Sequence, residues 1–246
     1  INILLEAGVP AGVVQLLPGR GETVGAKLTS DNRVRGVMFT GSTEVASLLQ
    51  RNIATRLDAQ GRPTPLIAET GGMNAMIVDS SALTEQVVVD VLASAFDSAG
   101  QRCSALRVLC LQDDVADHTL KMLRGAMAEC RMGNPGRLTT DIGPVIDAEA
   151  KANIENHIQT MRAKGRPVFQ AVRDNSEDAR EWRSGTFVPP TLIELASFDE
   201  LKKEVFGPVL HVVRYNRNNL NELIEQIMQK PITEMQELYN NREIEK

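Results

Sequence analysis

The sequence predicts an α/β protein of two domains, the second built on a mainly parallel sheet. Short apolar runs of strand length, such as residues 105–111, alternate with longer segments of helical apolar periodicity, such as residues 87–96. Turns that carry glycine separate them. This alternation is typical of parallel strands covered by helices. At 246 residues the chain is long enough for two modest domains with separate cores.

Residues 1–71 are expected to form the first domain. After a first helix that ends at Gly8, its predicted strands and helices alternate. The strands are expected at residues 13–17, 35–39 and 66–68, and the helices after the turn at 18–25 and at 44–57. The last of these helices would bury Val45, Leu48, Leu49 and Ile53.

The turn Thr40-Gly-Ser-Thr43 joins a predicted strand to a predicted helix. Ser42 or Thr43 would cap that helix. Where a strand leads through a glycine-bearing turn into a helix, the free backbone N–H groups at the start of the helix can bind an anion. This turn is therefore a candidate phosphate site. Any α/β protein caps its helices in this way, and the segment from Gly19 to Gly25 lacks the usual dinucleotide-binding spacing.

Residues 72–228 are expected to form the second domain, after a junction at Gly71-Gly72. Asp147 is expected to cap one of its helices and Asp113 or Asp114 another. A charged surface loop containing a packed Trp182 is predicted at residues 173–184, and residues 229–246 read as a divergent tail. The strands are expected at residues 74–78, 105–111, 186–188, 191–193 and 209–213, and the helices at 87–96, 113–130 and 148–164.

Composition excludes several classes of function. The net charge of −5 provides no basic surface for nucleic acid or anionic lipid. No apolar run approaches the roughly 20 residues that span a bilayer, and there is no secretory signal, so a cytoplasmic protein is expected. The three cysteines lack CxxC spacing, which argues against a disulfide framework or a zinc site, and no metal is predicted. His118, His157 and His211 are expected to be structural.

Cys103 is the candidate nucleophile. It follows the apolar helix predicted at residues 87–96, which should end near Gly100, so its thiol would lie on a loop held by a rigid element. A thiol attacks as the thiolate, which requires a partly polar site or a base that takes its proton. The alternative is that Cys103 is a small buried apolar residue, the commoner role of a free cysteine.

Glu69 is the candidate general base. It closes a short apolar strand and precedes two glycines. Partial burial there would raise the pKa of its carboxyl group toward neutrality, which suits a base. A solvated carboxylate at the end of a strand is the alternative reading.

Four motifs together resemble those of the NAD(P)-dependent aldehyde dehydrogenase superfamily, in the same order. They are Phe39-Thr-Gly-Ser-Thr43, Glu69-Thr-Gly-Gly72, Gly100-Gln-Arg-Cys103 and Glu204-Val-Phe-Gly-Pro208. The residues around Glu69 and Cys103 look most like the 1-pyrroline-5-carboxylate dehydrogenase domain of bacterial bifunctional proline utilization proteins. The resemblance covers residues 1–227.

The resemblance implies an enzyme that oxidises L-glutamate γ-semialdehyde to L-glutamate with NAD. It implies that residues 1–71 are part of a Rossmann-type cofactor domain and residues 72–228 the catalytic domain. Cys103 would be the nucleophile, Glu69 the general base, and Ser104 a residue that orients the substrate. The implied cofactor-binding residues are Thr40, Gly41 and Ser42 near the pyrophosphate and Glu204 and Phe206 near the nicotinamide ribose. The alternative to a cofactor-binding role is that Glu204 forms a surface ion pair with Lys202 or Lys203, which would contribute almost nothing to stability.

The sequence also departs from the family pattern. The early βα units, the adenosine-ribose ligands and an oxyanion-hole asparagine lie in a family region with no counterpart here. The family's substrate-anchoring loop and oligomerisation flap would follow residue 227. Homo-oligomerisation therefore belongs to the parent enzyme, as do any flavin and DNA-binding domains. Two alternatives stay open, namely an inactive fragment or interaction module of such an enzyme, and an aldehyde dehydrogenase acting on a different aldehyde.

Overall fold

The computed structural model describes residues 1–57, 60–171 and 184–229. Trp182, nearly all of the predicted charged loop and residues 230–246 of the predicted tail lie outside the described residues. The chain divides into two compact units, Ile1–Thr70 and a second that begins at Gly71.

The first unit contains a two-stranded parallel sheet and three α-helices. In chain order these are α1 (Asn2–Glu6), a π-helical turn (Gly21–Gly25), α2 (Ala26–Ser30), β1 (Val37–Gly41), α3 (Thr43–Ala54) and β2 (Leu66–Thr70). Ser42 caps α3, its hydroxyl accepting from the Val45 N–H at 3.3 Å. Helix α3 buries Ala46, Leu49 and Ile53.

Two expectations for the first unit are wrong. Residues 13–17 form no strand, and Val13, Leu16 and Leu17 are exposed. A strand exists only with a neighbour to bond to, and the described unit offers that segment none. In α3, Val45 and Leu48 are also exposed, because the buried stripe is narrower than the apolar pattern and runs through Ala46 instead.

The second unit is a five-stranded sheet flanked by helices, with strand order β3-β4-β7-β6-β5. All pairs are parallel except β5 with β6, which confirms the mainly parallel sheet. The strands are β3 (Ala75–Val78), β4 (Val108–Gln112), β5 (Val168–Gln170), β6 (Thr191–Leu195) and β7 (Val209–Tyr215). The helices are α4 (Thr84–Phe96), α5 (Asp113–Glu129), α6 (Ala148–Ala163) and α7 over residues 220–229, with short 3₁₀ turns at Asp97–Gly100, Phe198–Glu200 and Arg217–Asn219.

The predicted strand at residues 186–188 is absent. Thr186 instead forms two hydrogen bonds with Val145. The Val145 N–H donates to the Thr186 carbonyl oxygen at 2.8 Å, and the Thr186 hydroxyl donates to the Val145 carbonyl oxygen at 2.6 Å. These bonds satisfy the backbone without a sheet partner. Strand β5 was not predicted, because three residues are too few to show a periodic pattern.

The helix caps were predicted correctly at α6 and wrongly at α5. Asp147 caps α6 by accepting from the Ala150 N–H at 2.8 Å. At α5 the N-cap residue is Gln112, and Asp113 and Asp114 lie inside the first turn. Carboxylates in the first turn still stabilise the positive end of the helix dipole.

Candidate active site

The loop that carries Cys103 leaves α4 through three consecutive residues in the left-handed region of backbone conformation. Ser98, Ala99 and Gly100 have φ values of 57°, 53° and 65°. Residues other than glycine rarely adopt such values, and they persist where surrounding packing holds them. Ala99 is buried, which supplies that packing. Residues 98–106 are called the Cys103 loop below.

Cys103 itself is exposed, and its carbonyl is held by Asn74. The Asn74 side-chain amide donates to the Cys103 carbonyl oxygen at 2.7 Å and to the Ala105 carbonyl oxygen at 2.9 Å. The Asn74 carbonyl oxygen in turn accepts from the N–H groups of Arg107 and Val108. Within residues 1–57, 60–171 and 184–229, the backbone N–H of Cys103 donates to no protein acceptor.

Arg107 lies beneath the Cys103 loop with 2% of its surface exposed. Its Nη1 donates to the Gly100 carbonyl oxygen at 2.7 Å, and its Nη2 donates to the Arg102 carbonyl oxygen at 3.1 Å. Burial lowers the pKa of Arg107, and the nearby Glu204 carboxylate opposes that shift. The guanidinium group is therefore a buried cation with both loop and carboxylate partners.

Glu204 is the carboxylate partner of Arg107. Its Oε1 accepts from the Arg107 Nε at 2.9 Å and lies 2.8 Å from Nη2. Its side chain is 19% exposed and lies against Gly71, where a Cβ would overlap the Glu204 Oε2 atom. Glu204 is therefore not limited to the surface pair with Lys202 or Lys203, because it also pairs with a buried guanidinium.

Phe206 and Gly207 continue the same arrangement. The Arg107 Cζ atom lies 5.1 Å from the centroid of the Phe206 ring, which is half-exposed, and this distance is typical of a cation–π contact. The Arg107 Nη1 also reaches the Gly207 carbonyl oxygen at 3.3 Å. A Cβ on Gly100 would overlap that carbonyl group, so Gly100 allows the Cys103 loop to touch the 204–208 segment directly.

Gln101 fixes the other side of the Cys103 loop. Its Oε1 accepts from the Ile146 N–H at 2.8 Å, and its Nε2 donates to the carbonyl oxygens of Pro144 and Ser98 at 3.1 and 3.2 Å. The loop is thus bonded on two sides, while Cys103 and Ser104 face outward and are exposed.

The remaining predicted site residues lie in the first unit. Thr40 on β1 and Glu69 on β2 are partners in the register of the parallel pair, and both are exposed. Of the two alternatives for Glu69, the described structure has the exposed carboxylate at the end of a strand. Gly41 and Ser42 follow at the start of α3, and a Cβ on Gly41 would overlap the Phe39 ring. Packing against Phe39 is therefore a local reason for glycine at this position.

Two residues that organise the site were not predicted, namely Asn74 and Arg107. Arg107 stands between Leu106 and Val108 in an otherwise apolar run. A single arginine in a segment predicted as a buried strand is unusual unless it is paired, and that signal could have identified it. Asn74 carries no comparable signal, because it stands at the first position of a predicted strand, where an asparagine that leaves a turn is common.

His157, which is partly buried, and His211, which is buried, form a pair next to this site. Their Nε2 atoms lie 2.8 Å apart, and the His211 Nδ1 lies 3.3 Å from the Arg107 carbonyl oxygen. Because a carbonyl oxygen only accepts, Nδ1 of His211 carries the proton and its Nε2 accepts from His157. Burial, followed by the charge of His157, lowers the pKa of His211 to about 3. The part of the chain described here contains no group of three metal-ligating side chains.

Known proteins resemble this chain over nearly its whole length. The model of the aldehyde dehydrogenase family matches residues 1–231. The bifunctional protein PutA of Escherichia coli (strain K12) is 90% identical over 227 residues, which are 92% of this chain and 17% of that protein. A crystal structure of a bifunctional proline utilization A protein matches with a TM-score of 0.84 and 46% identity, over 93% of this chain and 22% of that one.

A Thermus 1-pyrroline-5-carboxylate dehydrogenase, solved with bound NAD, matches with a TM-score of 0.79 and 32% identity. The match covers 92% of this chain and 42% of that one. This chain thus spans less than half the length of each of these three proteins. Among the described helices, none combines the length and the hydropathy that crossing a membrane requires.

Proposed function

The chain belongs to the aldehyde dehydrogenase family and shares its α/β fold, and we propose that it carries the catalytic cysteine of an enzyme that oxidises L-glutamate γ-semialdehyde to L-glutamate in proline catabolism. The observation that carries the proposal is an exposed Cys103 on a loop that buried Arg107 ties to Glu204. Two of the four motifs on which the resemblance rests are thus joined by one side chain.

In the first step the Cys103 thiolate attacks the aldehyde carbon, forming a C–S bond while the carbonyl π electrons move to oxygen. The oxyanion requires hydrogen-bond donors at the position where its charge develops. The Cys103 N–H is one such donor, because it bonds to no acceptor in the described residues. Ser104, exposed beside the nucleophile, would orient the substrate.

The cofactor is proposed to be NAD, which supplies the hydride acceptor when bound. The residues of the second unit fit its nicotinamide ribose: the partly exposed Glu204 carboxylate can accept from ribose hydroxyl groups, and the half-exposed Phe206 ring offers an apolar face. In the first unit, Thr40, Gly41 and Ser42 at the start of α3 would approach the pyrophosphate.

Glu69 is proposed to complete the reaction. Loss of hydride leaves a thioester on Cys103, and Glu69 would remove a proton from the water that attacks it. Water adds its oxygen to the acyl carbon, the C–S bond breaks, and the thiolate returns. The three free cysteines fit a reducing, cytoplasmic location, which is part of the same proposal.

Two substitutions in the chain, assayed separately, test the scheme. Cys103→Ser should abolish aldehyde-dependent NADH formation, and Glu69→Gln should accumulate a thioester detectable by mass spectrometry of the quenched protein. Cys130→Ser, a thiol outside the proposed chemistry, is the matched control and should retain activity. Full activity in Cys103→Ser would rule the scheme out.

A second candidate is an interaction module that needs other protein segments before it binds NAD. The observation in its favour is the exposed sheet of the first unit, where the register partners Met38 and Ile67 are 83% and 55% exposed. Apolar side chains exposed together mark a surface that another polypeptide covers. Calorimetry of the chain with NAD separates the two candidates, because heat of binding supports the enzyme. Substrate identity rests on the relatives, so a panel of aldehydes decides between L-glutamate γ-semialdehyde and another aldehyde.

A further inference from the structure

We propose that Arg107 is a positioning residue that sets the orientation of the Cys103 N–H and the place of the Glu204 carboxylate together, so that nucleophile and cofactor ligand are aligned by one buried side chain. The inference deepens the proposed function and rests on it for the roles of Cys103 and Glu204. It is based on the hydrogen bonds that Arg107 makes within the second unit.

The first contact acts on the peptide bond that precedes Cys103. The Arg107 Nη2 donates to the Arg102 carbonyl oxygen at 3.1 Å. That carbonyl group and the Cys103 N–H belong to one planar peptide unit. Holding the oxygen therefore fixes the direction of the N–H, which points to the opposite side of the chain. The proposed oxyanion donor is thus oriented by a group that does not touch the substrate.

Asn74 holds the peptide bond that follows Cys103 through its 2.7 Å bond to the Cys103 carbonyl oxygen. Both peptide planes next to the nucleophile are consequently restrained by side chains from outside the loop. Among the described residues, both hydrogen bonds of the Asn74 side chain end on the loop. Arg107, by contrast, also contacts the 204–208 segment.

The remaining donors of Arg107 extend to that segment. Nε and Nη2 face Glu204 Oε1, and Nη1 is shared between the carbonyl oxygens of Gly100 and Gly207. A movement of the guanidinium group must therefore disturb Glu204, Gly207 and the Cys103 loop at once. The Gly100–Gly207 approach leaves no space for either segment to move toward the other.

Charge alone does not explain this arrangement. A lysine would keep the cation but carries three donors at a single point, which cannot reach acceptors on two segments. Burying a cation costs free energy unless the cation is paired. Arg107 is only 2% exposed, so its charge alone would destabilise the fold, and its hydrogen bonds to two segments account for its presence. The planar fork of arginine is the feature that the site uses.

The test uses Arg107→Lys, with Arg214→Lys as the matched control. Arg214 also forms ion pairs, with Asp117 and Glu194, but lies outside the site. Hydrogen–deuterium exchange of the ligand-free chain should become about 10-fold faster in residues 98–106 and 204–208 together in Arg107→Lys. The control should leave both segments unchanged. Unchanged exchange in both segments in Arg107→Lys would overturn the proposal.

Coupling is tested by a double-mutant cycle with Glu204→Gln. Glu204 is bonded to Arg107, so Glu204→Gln should accelerate exchange at residues 98–106 through Arg107. In the Arg107→Lys background the same change should add nothing. Fully additive effects contradict the proposal. Should Arg107→Lys fail to fold, Glu204→Gln alone decides: faster exchange at residues 98–106 supports the coupling, and unchanged exchange there overturns it.

A second set of measurements connects positioning to chemistry. In the active protein, Arg107→Lys should raise the KM for NAD about 10-fold and lower kcat about 100-fold, because a misplaced catalytic group costs about that factor. Glu204→Gln should raise KM mainly. Absence of NAD binding in the unsubstituted chain would contradict the proposed function and leave the exchange measurements, which need no ligand, to decide the role of Arg107. Equal values of kcat and of the KM for NAD in Arg107→Lys and the parent chain would overturn the positioning role of Arg107.

Discussion

The side-chain amide of Asn74 donates to the carbonyl oxygen of Cys103 at 2.7 Å, although the two residues lie 29 positions apart in the chain. The same amide also holds Ala105. Through these bonds the first residue before β3 determines the shape of the loop that presents the thiol. The geometry of the Cys103 loop thus depends on a residue that immediately precedes β3, in the same unit.

Asn74→Ala should loosen that loop. It removes two hydrogen bonds, one of them to the carbonyl oxygen of buried Ala105, which costs about 1–3 kcal/mol in the free energy of unfolding. Urea denaturation measures the loss, and aldehyde oxidation should fall with it. Asn134→Ala, which removes an amide from a surface turn, is the control and should cost less. Equal losses in the two variants would contradict the role given to Asn74.

Gly100→Ala should be among the most destabilising single-methyl changes in the chain. Gly100 has φ of 65°, and a Cβ there would overlap the backbone of Gly207. Strain and overpacking together should lower the free energy of unfolding by about 2–4 kcal/mol. Gly125→Ala in α5 meets no neighbour within 4 Å and should instead stabilise the chain by about 0.5–1 kcal/mol. Chemical denaturation of both variants checks the opposite signs.

Gly71→Ala and Gly72→Ala form a matched pair of adjacent changes. A Cβ on Gly71 would displace the Glu204 carboxylate, which Arg107 holds in place, whereas the nearest atom to a Cβ on Gly72 is Asn74 Oδ1 at 3.7 Å. Gly71→Ala should therefore weaken NAD binding about 10-fold, and Gly72→Ala should change it little. Calorimetric titration with NAD measures both. A loss confined to Gly72→Ala would contradict the placement of Glu204.

The thiols of Cys103 and Cys110 should react at very different rates. Cys103 is exposed, whereas burial raises the pKa of the Cys110 thiol to about 12. Iodoacetamide at roughly pH 8 should alkylate Cys103 of the folded chain and leave Cys110 unmodified. In urea both should react, which is the control, and peptide mass spectrometry reads the result. Labelling of Cys110 in the folded chain at a rate equal to that of Cys103 would contradict the prediction.

The His157–His211 pair should make the fold sensitive to acid. Burial lowers the pKa values of both histidines below the ordinary 6.5, with Lys164 and Lys203 adding to the shift at His157. Well above pH 6.5 both are neutral in the folded and unfolded chain, so they contribute no pH dependence there. As pH falls from about 6.5 toward 3, the unfolded chain binds protons that the folded chain excludes, and stability declines by on the order of 1 kcal/mol per pH unit.

His211→Gln provides the comparison, since glutamine keeps hydrogen-bonding capacity without a titrating ring. Its free energy of unfolding, measured by denaturant titration between about pH 4 and 7, should fall less steeply than that of the parent chain. Parallel curves would show that the pair does not titrate on unfolding.

Most of the architecture could be predicted from the amino-acid sequence because it depends on local patterns. The 3.6-residue periodicity identified α3 and α4, and the apolar runs identified β4 and β7. Asp147 was recognised as the cap of α6, and Ser42 was one of two residues predicted to cap α3. The family was likewise indicated by four short motifs, and its model matches residues 1–231. The roles of Cys103, Glu69, Ser104 and the cofactor-binding residues stay predictions.

Only the tertiary structure decided how the site is held together. Arg107, Asn74 and Gly71 act through partners that lie up to 133 positions away, as Gly71 does with Glu204, and no local pattern encodes such contacts. The failed strand at residues 13–17 shows the same limit, because a β-strand requires a neighbour that apolar composition cannot guarantee. The sequence by itself determined the elements and the family, since these depend on residue order. Which buried cation binds which carboxylate was decided by the approach of distant segments.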